Sequence, residues 1–186
     1  MNTDNVKTIS IFFNIHTTIF AHRGDVQPFI LQWKYQPYKV YDGINENDVD
    51  NYQFEHELYF HQSWNGNFQY AMSPNFESIV PLLNKIDFLA LHKVKANLEP
   101  LKSKQFFSDF HYDWAESVEN PIPSKKMTTA IYYVNTCDGY TEFEDGTKTQ
   151  CVANRLVKFP SNLKHRGVSQ TDNRLKSVIN LNFFTP

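Results

Sequence analysis

The chain has 186 residues, of which 41% are hydrophobic, enough to build one domain around a real core but short for two full catalytic domains. Sixteen Phe and ten Tyr against nine Pro and six Gly argue against a low-complexity or disordered chain, and a formal charge of −2 gives no general attraction to nucleic acid or anionic membrane. The two cysteines, Cys137 and Cys151, have no CxxC spacing, which excludes a zinc site built on thiolate pairs and leaves free thiols in a reducing cytoplasm as the expectation.

In chain order, Thr8 to Phe20 alternates imperfectly between β-branched or aromatic and polar residues and reads as a strand on a sheet edge. Its apolar run, Ile9 to Phe13, is too short to span a membrane and lacks the pattern of a secretory leader, so neither is expected. Tyr41 to Asn51 is rich in Asp, Gly, Asn and Glu and reads as a solvated loop. Ser73-Pro74 is a helix start, because serine caps free amides and proline in the first turn has none to satisfy. Phe76, Ile79, Val80, Leu83 and Ile86 carry the helical period, which predicts a helix from Asn75 to about Leu89 packed on a sheet.

Leu91 to Leu98 (LHKVKANL) then switches to alternation and predicts a strand. Beyond Pro123 the chain reads as strand and turn. Thr128 to Asn135, Tyr140 to Phe143, Leu156 to Phe159 and Ser177 to Phe184 are strands, with turns at Cys137-Asp138-Gly139 and Glu144-Asp145-Gly146. Short strands at fairly regular spacing point to a mainly β (α+β) jelly roll.

His111-Tyr112-Asp113 is the pivotal triplet. Residues i and i+2 of an extended segment point to one side, so an imidazole and a carboxylate converge on one ion, whereas on a helix they diverge by about 200°. His165, beyond the strand Leu156 to Phe159, is the third candidate ligand. Two histidines and one carboxylate form the facial set of non-haem Fe(II) oxygenases, which leaves positions open for a 2-oxo acid and O2. The alternative for each histidine is an ordinary solvated or hydrogen-bonded residue; His16, His22, His56, His61 and His92 lack a partner spacing and are read that way. A dicarboxylate co-substrate also needs a buried cation. Lys176, at the opening of the last strand, is preferred for that role, with Arg174 as the alternative and a solvated surface cation as the bland reading of either.

At these residues the sequence resembles the 2-oxoglutarate/Fe(II)-dependent dioxygenase superfamily, and within it the small phage-type and prolyl 4-hydroxylase-like branch. The resemblance spans Leu91 to Phe184, about half the chain, through LHKVKANL, FHYD, TAIYYVNTCDGYTEFEDG, ANRLVKFPSNLKHRG and SVINLNFF in the expected order. It implies a double-stranded β-helix, cupin-like, with supporting helices on the major sheet and the triad inside its open end. One domain, residues 1–186, would comprise supporting strands, loops and helix over 1–90 and a catalytic jelly-roll core over 91–186.

The resemblance further implies that His111, Asp113 and His165 bind Fe(II), with 2-oxoglutarate and O2 as co-substrates. The reaction it implies is hydroxylation of a protein side chain or small metabolite with release of succinate and CO2. Tyr133 matches a position where the branch uses a tyrosine hydroxyl on the distal carboxylate of 2-oxoglutarate; an aromatic of the core is the alternative. Thr141 falls where the branch has a threonine near the co-substrate; a strand former is the alternative. Phage-type relatives carry arginine where this chain has Lys176, whereas the prolyl-hydroxylase-like branch uses lysine, a change that keeps charge but gives up bidentate geometry. A cytoplasmic location, in the host cytoplasm for a phage-encoded protein, goes with this reading. Its rivals are a non-catalytic jelly-roll binding or phage structural module, and a cupin-type metal enzyme with no oxo acid.

Overall fold

The computed structural model describes residues 6–10, 31–37, 51–64, 67–114 and 126–186. Outside them lie the strand expected at Thr8 to Phe20 beyond Ser10, the Tyr41 to Asn51 loop apart from Asn51, and His16 and His22. The described strands are β1 (Lys7–Ser10), β2 (Lys34–Gln36), β3 (Gln53–Trp64), β4 (Asn67–Met72), β5 (Ala90–Pro100), β6 (Met127–Tyr133), β7 (Tyr140–Phe143), β8 (Lys148–Gln150), β9 (Arg155–Pro160), β10 (His165–Val168) and β11 (Leu175–Phe184). They form a large antiparallel sheet in the order β1-β9-β6-β11-β5-β3-β2, with β4 hairpinned onto β3, and a three-stranded sheet in the order β10-β7-β8. This is the jelly-roll architecture expected from the sequence.

Period-two alternation on β5 and β11 separates the two faces of the large sheet. Val94 and Ala96 on β5 lie opposite Leu181 and Ile179 on β11, and these four with Phe183 are essentially fully buried on the outer face. Ile79 and Leu82 cover them, in a cluster that also takes in Leu58, Tyr132 and Leu156. Burying side chains of this size contributes about 1.5–3 kcal/mol each relative to leaving them exposed.

The covering segment is shorter than its periodicity suggested. It is a 3-10 turn, Phe76–Ile79, followed by one α-helical turn, α1 (Val80–Leu83), rather than a continuous helix to Leu89. Pro81 sits at the start of α1, where it supplies no amide and disfavours helical backbone at the residue before it. Beyond α1 the bonds Lys85 N–H to Leu82 O and Ile86 N–H to Leu83 O span three residues and tighten the chain out of helix. The expected serine cap is not formed: Ser73 Oγ accepts from Asn75 N–H at 3.1 Å in the turn ahead of the segment, and Asn75, the N-cap residue, makes no side-chain capping bond.

A second cluster joins the inner face of the large sheet to the small one through Ile131, Tyr133, Phe143, Val157, Phe159 and Leu163. Cys137 and Cys151 belong to it as buried free thiols. The Glu144-Asp145-Gly146 turn closes β7 onto β8 with Gly146 at φ +86°, a left-handed conformation that favours glycine. On the β5 and β11 half of the same inner face the residues are polar, and the sheets enclose a cavity of about 450 Å3. No helix among the described residues is long and apolar enough to cross a membrane.

The packing predicts that Leu181→Ala destabilises the fold by about 2–5 kcal/mol, read as a lower urea midpoint, because the outer face cannot collapse onto the vacated space. Leu89→Ala, at a position 69% exposed, changes stability by no more than about 0.5 kcal/mol in the same measurement.

Candidate metal centre

His111 and His165 face one another across an isolated antiparallel bridge, with His111 N–H donating to His165 O at 2.9 Å and His165 N–H to His111 O at 3.0 Å. Both rings use the same local device. Nδ1 of His111 lies 3.0 Å from Asp109 O, and Nδ1 of His165 lies 3.0 Å from Leu163 O, each carbonyl two residues earlier in the chain. A carbonyl oxygen only accepts, so the hydrogen bonds assign the proton to Nδ1 in both rings and leave each Nε2 a lone pair. The two Nε2 atoms stand 3.7 and 3.8 Å from Asp113 Oδ1, and one ligand atom from each of the three residues lies within 4.8 Å of the others.

Asp113 is oriented as tightly as the histidines. Its Oδ2 accepts from Thr129 Oγ1 at 2.9 Å and from Asn182 Nδ2 at 3.0 Å, while Asn182 Nδ2 also reaches Thr129 Oγ1 at 3.0 Å. Thr129 and Asn182 are directly paired between β6 and β11, so two neighbouring strands clamp one carboxylate oxygen and leave Oδ1 for the histidine side. Burial pushes the Asp113 carboxyl up, but the His165 and His111 rings with the two hydrogen bonds outweigh it and hold the group below its ordinary value. Burial also pushes His165 below its ordinary value, against the pull of Asp113, so its imidazole is neutral near pH 7. A carboxylate beside a neutral imidazole is the protonation state that a cation requires of such ligands.

The same cavity contains Lys176, Thr141, Ile131 and Val178. Lys176 is 4% exposed, and its Nζ donates to Val168 O at 2.7 Å and pairs with Glu99 Oε1 at 3.3 Å. Gly139 makes room for it, since a Cβ there would lie 2.9 Å from Val168 O and 3.0 Å from Lys176 Cδ. Arg174 is exposed, precedes the first residue of β11 and does not line the cavity. Tyr133 does not line it either. Its buried hydroxyl donates to Thr141 Oγ1 at 2.7 Å, and Thr141 is the residue that faces the cavity. Burial raises the Tyr133 phenol well above its ordinary value, which keeps it protonated as that donor.

A smaller chamber of about 290 Å3 shares Asp113 with the first and is lined by His92, Lys93, Trp114 and Asn182 among others. Trp114 meets His92 edge to face there, with ring centroids 4.9 Å apart. His56 is held by Ser73 Oγ and Gln32 O, outside both spaces, and has a structural part.

Sequence reasoning missed Thr129, Asn182 and Glu99. A signal for two of them existed. Asn180 and Asn182 alternate with Ile179, Leu181 and Phe183, and Lys93, Lys95, Asn97 and Glu99 alternate with Val94, Ala96 and Leu98. Polar residues repeated on one face of a strand inside a jelly roll have to line something polar.

No protein-family model and no curated protein matches the sequence. Solved structures do match the fold. A 2OG-Fe(II) oxygenase family oxidoreductase from Burkholderia pseudomallei is similar over 82% of this chain and 73% of its own, with a TM-score of 0.54 at 10% identity. A prolyl hydroxylase from Trichoplax adhaerens, solved with a hypoxia inducible factor oxygen degradation domain peptide fragment, is similar over 98% of this chain and 84% of its own, with a TM-score of 0.51 at 14% identity. At these identities the likeness establishes the fold: the chain is built as the jelly roll found in 2-oxoglutarate/Fe(II) oxygenases and prolyl hydroxylases.

Proposed function

We propose that the protein is an Fe(II)- and 2-oxoglutarate-dependent dioxygenase in which His111, Asp113 and His165 hold the metal. The observation that carries this reading is the convergence of two Nε2 atoms and one carboxylate oxygen in a cavity that also contains a buried lysine. The donor set fits the metal: two imidazoles and one carboxylate, each with its other polar atom tied to a hydrogen-bond partner, suit Fe(II) and leave coordination positions open. Bound there, iron would supply the activation of O2 that couples decarboxylation of 2-oxoglutarate to hydroxylation of the substrate, giving succinate and CO2.

The chain's own residues then have distinct tasks. Lys176 neutralises the distal carboxylate of the keto acid with an ammonium that stays out of bulk water. Thr141, whose oxygen accepts from Tyr133, has its own proton left to donate to that carboxylate, so Tyr133 acts as a positioning residue. Arg174 has no part in this arrangement. Ile131 and Val178 supply apolar wall around the keto acid and help exclude water. The substrate is a protein side chain or a small metabolite entering over the smaller chamber beside Asp113, and the peptide held by the Trichoplax neighbour favours the former.

The test is anaerobic reconstitution with Fe(II) followed by exposure to O2 and 2-oxoglutarate. One iron per chain and succinate release are expected, with both reduced to background in His111→Ala, Asp113→Ala and His165→Ala proteins of unchanged circular dichroism. A binding module would take up no stoichiometric iron, and a cupin-type enzyme would turn over without the keto acid.

Asn182→Leu removes a clamp on Asp113 without touching a ligand. It is expected to weaken Mn(II) or Fe(II) binding about 10–100-fold, measured by calorimetry, with the fold intact.

A further inference from the structure

Lys176 is not a bare cation awaiting an anion. Its register partner on β5 is Glu99, and the two side chains, 4% and 7% exposed, form an ion pair of 3.3 Å inside the cavity. An ammonium has three protons to donate. Among the described residues Lys176 uses one on Val168 O at 2.7 Å and one on Glu99, which leaves a single direction for a ligand. The backbone of Glu99 is anchored near the end of β5, where it pairs with Lys176 of β11 and its carbonyl accepts from the fully buried Gln170 side chain at 2.9 Å. The strand therefore keeps the Glu99 carboxylate within reach of Lys176.

Resting on the dioxygenase reading, we propose that Glu99 is a specificity-determining residue of the co-substrate site, competing with the distal carboxylate of 2-oxoglutarate for Lys176. Seating a dicarboxylate puts two carboxylates on one ammonium in a water-poor space, where like charges repel strongly. A keto acid without the second carboxylate meets no such opposition. Glu99 thus weakens 2-oxoglutarate selectively and compresses the preference that a lone lysine would give it over monocarboxylic keto acids. The pair also explains how a lysine can be buried in the cavity at all, because an unpaired ammonium there is costly.

The experiment is calorimetry on the Mn(II)-loaded full chain without O2, with 2-oxoglutarate and with 2-oxobutyrate, which is the same acid lacking the C5 carboxylate. Wild-type protein is expected to prefer 2-oxoglutarate by no more than about tenfold, and Glu99→Gln, which keeps size and an acceptor but removes the charge, to bind it at least about tenfold tighter with 2-oxobutyrate within about twofold of wild type. An unchanged or weaker 2-oxoglutarate affinity in Glu99→Gln overturns the role of Glu99 and leaves the dioxygenase reading standing. A wild-type preference above about a hundredfold overturns it without any variant, should Glu99→Gln not fold. If neither protein binds 2-oxoglutarate at all, the dioxygenase reading falls and the role of Glu99 falls with it.

Discussion

The pairing of β11 between β5 and β6 is the constraint on which the rest of the molecule depends. Side chains alternate strictly along a strand, so a register shift of one residue would exchange the two faces of all its neighbours' contacts. In the register adopted, Ile179, Leu181 and Phe183 enter the outer core while Lys176, Asn180 and Asn182 face the inner cavity. Stability and chemistry are thereby written on alternate residues of the same ten-residue strand. The apolar set fixes the register, and the register delivers Asn182 to Asp113 and Lys176 to Glu99.

The candidate centre beside that strand is oriented by hydrogen bonds to the atoms opposite its three converging ligand atoms. Each imidazole is turned by a carbonyl two residues back in its own chain, so its orientation depends on local backbone rather than on a distant partner. The carboxylate is turned by two residues from different strands, so its orientation reports the integrity of the sheet. Such an arrangement gathers a buried imidazole, a largely buried carboxylate and a partly exposed imidazole at a free-energy cost that the two hydrophobic clusters on either side of the sheet offset. A cation held between them, as proposed, would offset part of that cost.

Much of this was legible in residues and spacing. HYD at 111–113 gave convergent ligands because an extended triplet puts its ends on one side, and the structure places His111 and Asp113 together with His165. Alternation and turn residues predict β5, β6, β7, β9 and β11, but not the short β8 or β10, the strand that carries His165. The period from Phe76 to Ile86 predicts too long a helix because it outweighs Pro81; of the apolar residues that carry it, Ile79, Leu83 and Ile86 are core residues whereas Val80 is exposed. The hairpin of β3 and β4 was not read at all, since charged and aromatic residues alternate irregularly through FEHELYF. Thr129 and Asn182 stand 53 residues apart, and Glu99 and Lys176 stand 77 apart, so only the sheet register shows that they meet. Strand length decided another point: β11 begins at Leu175, which keeps Arg174 out in solvent and leaves Lys176 inside.

The most direct test of the central claim is an anaerobic crystal structure with Mn(II) standing in for Fe(II) and with 2-oxoglutarate. The account predicts one ion bonded to His111 Nε2, Asp113 Oδ1 and His165 Nε2, with the keto acid reaching from that ion to Lys176 and Thr141. Metal bound elsewhere, ligation through Nδ1, or a keto acid that leaves Lys176 untouched would contradict it.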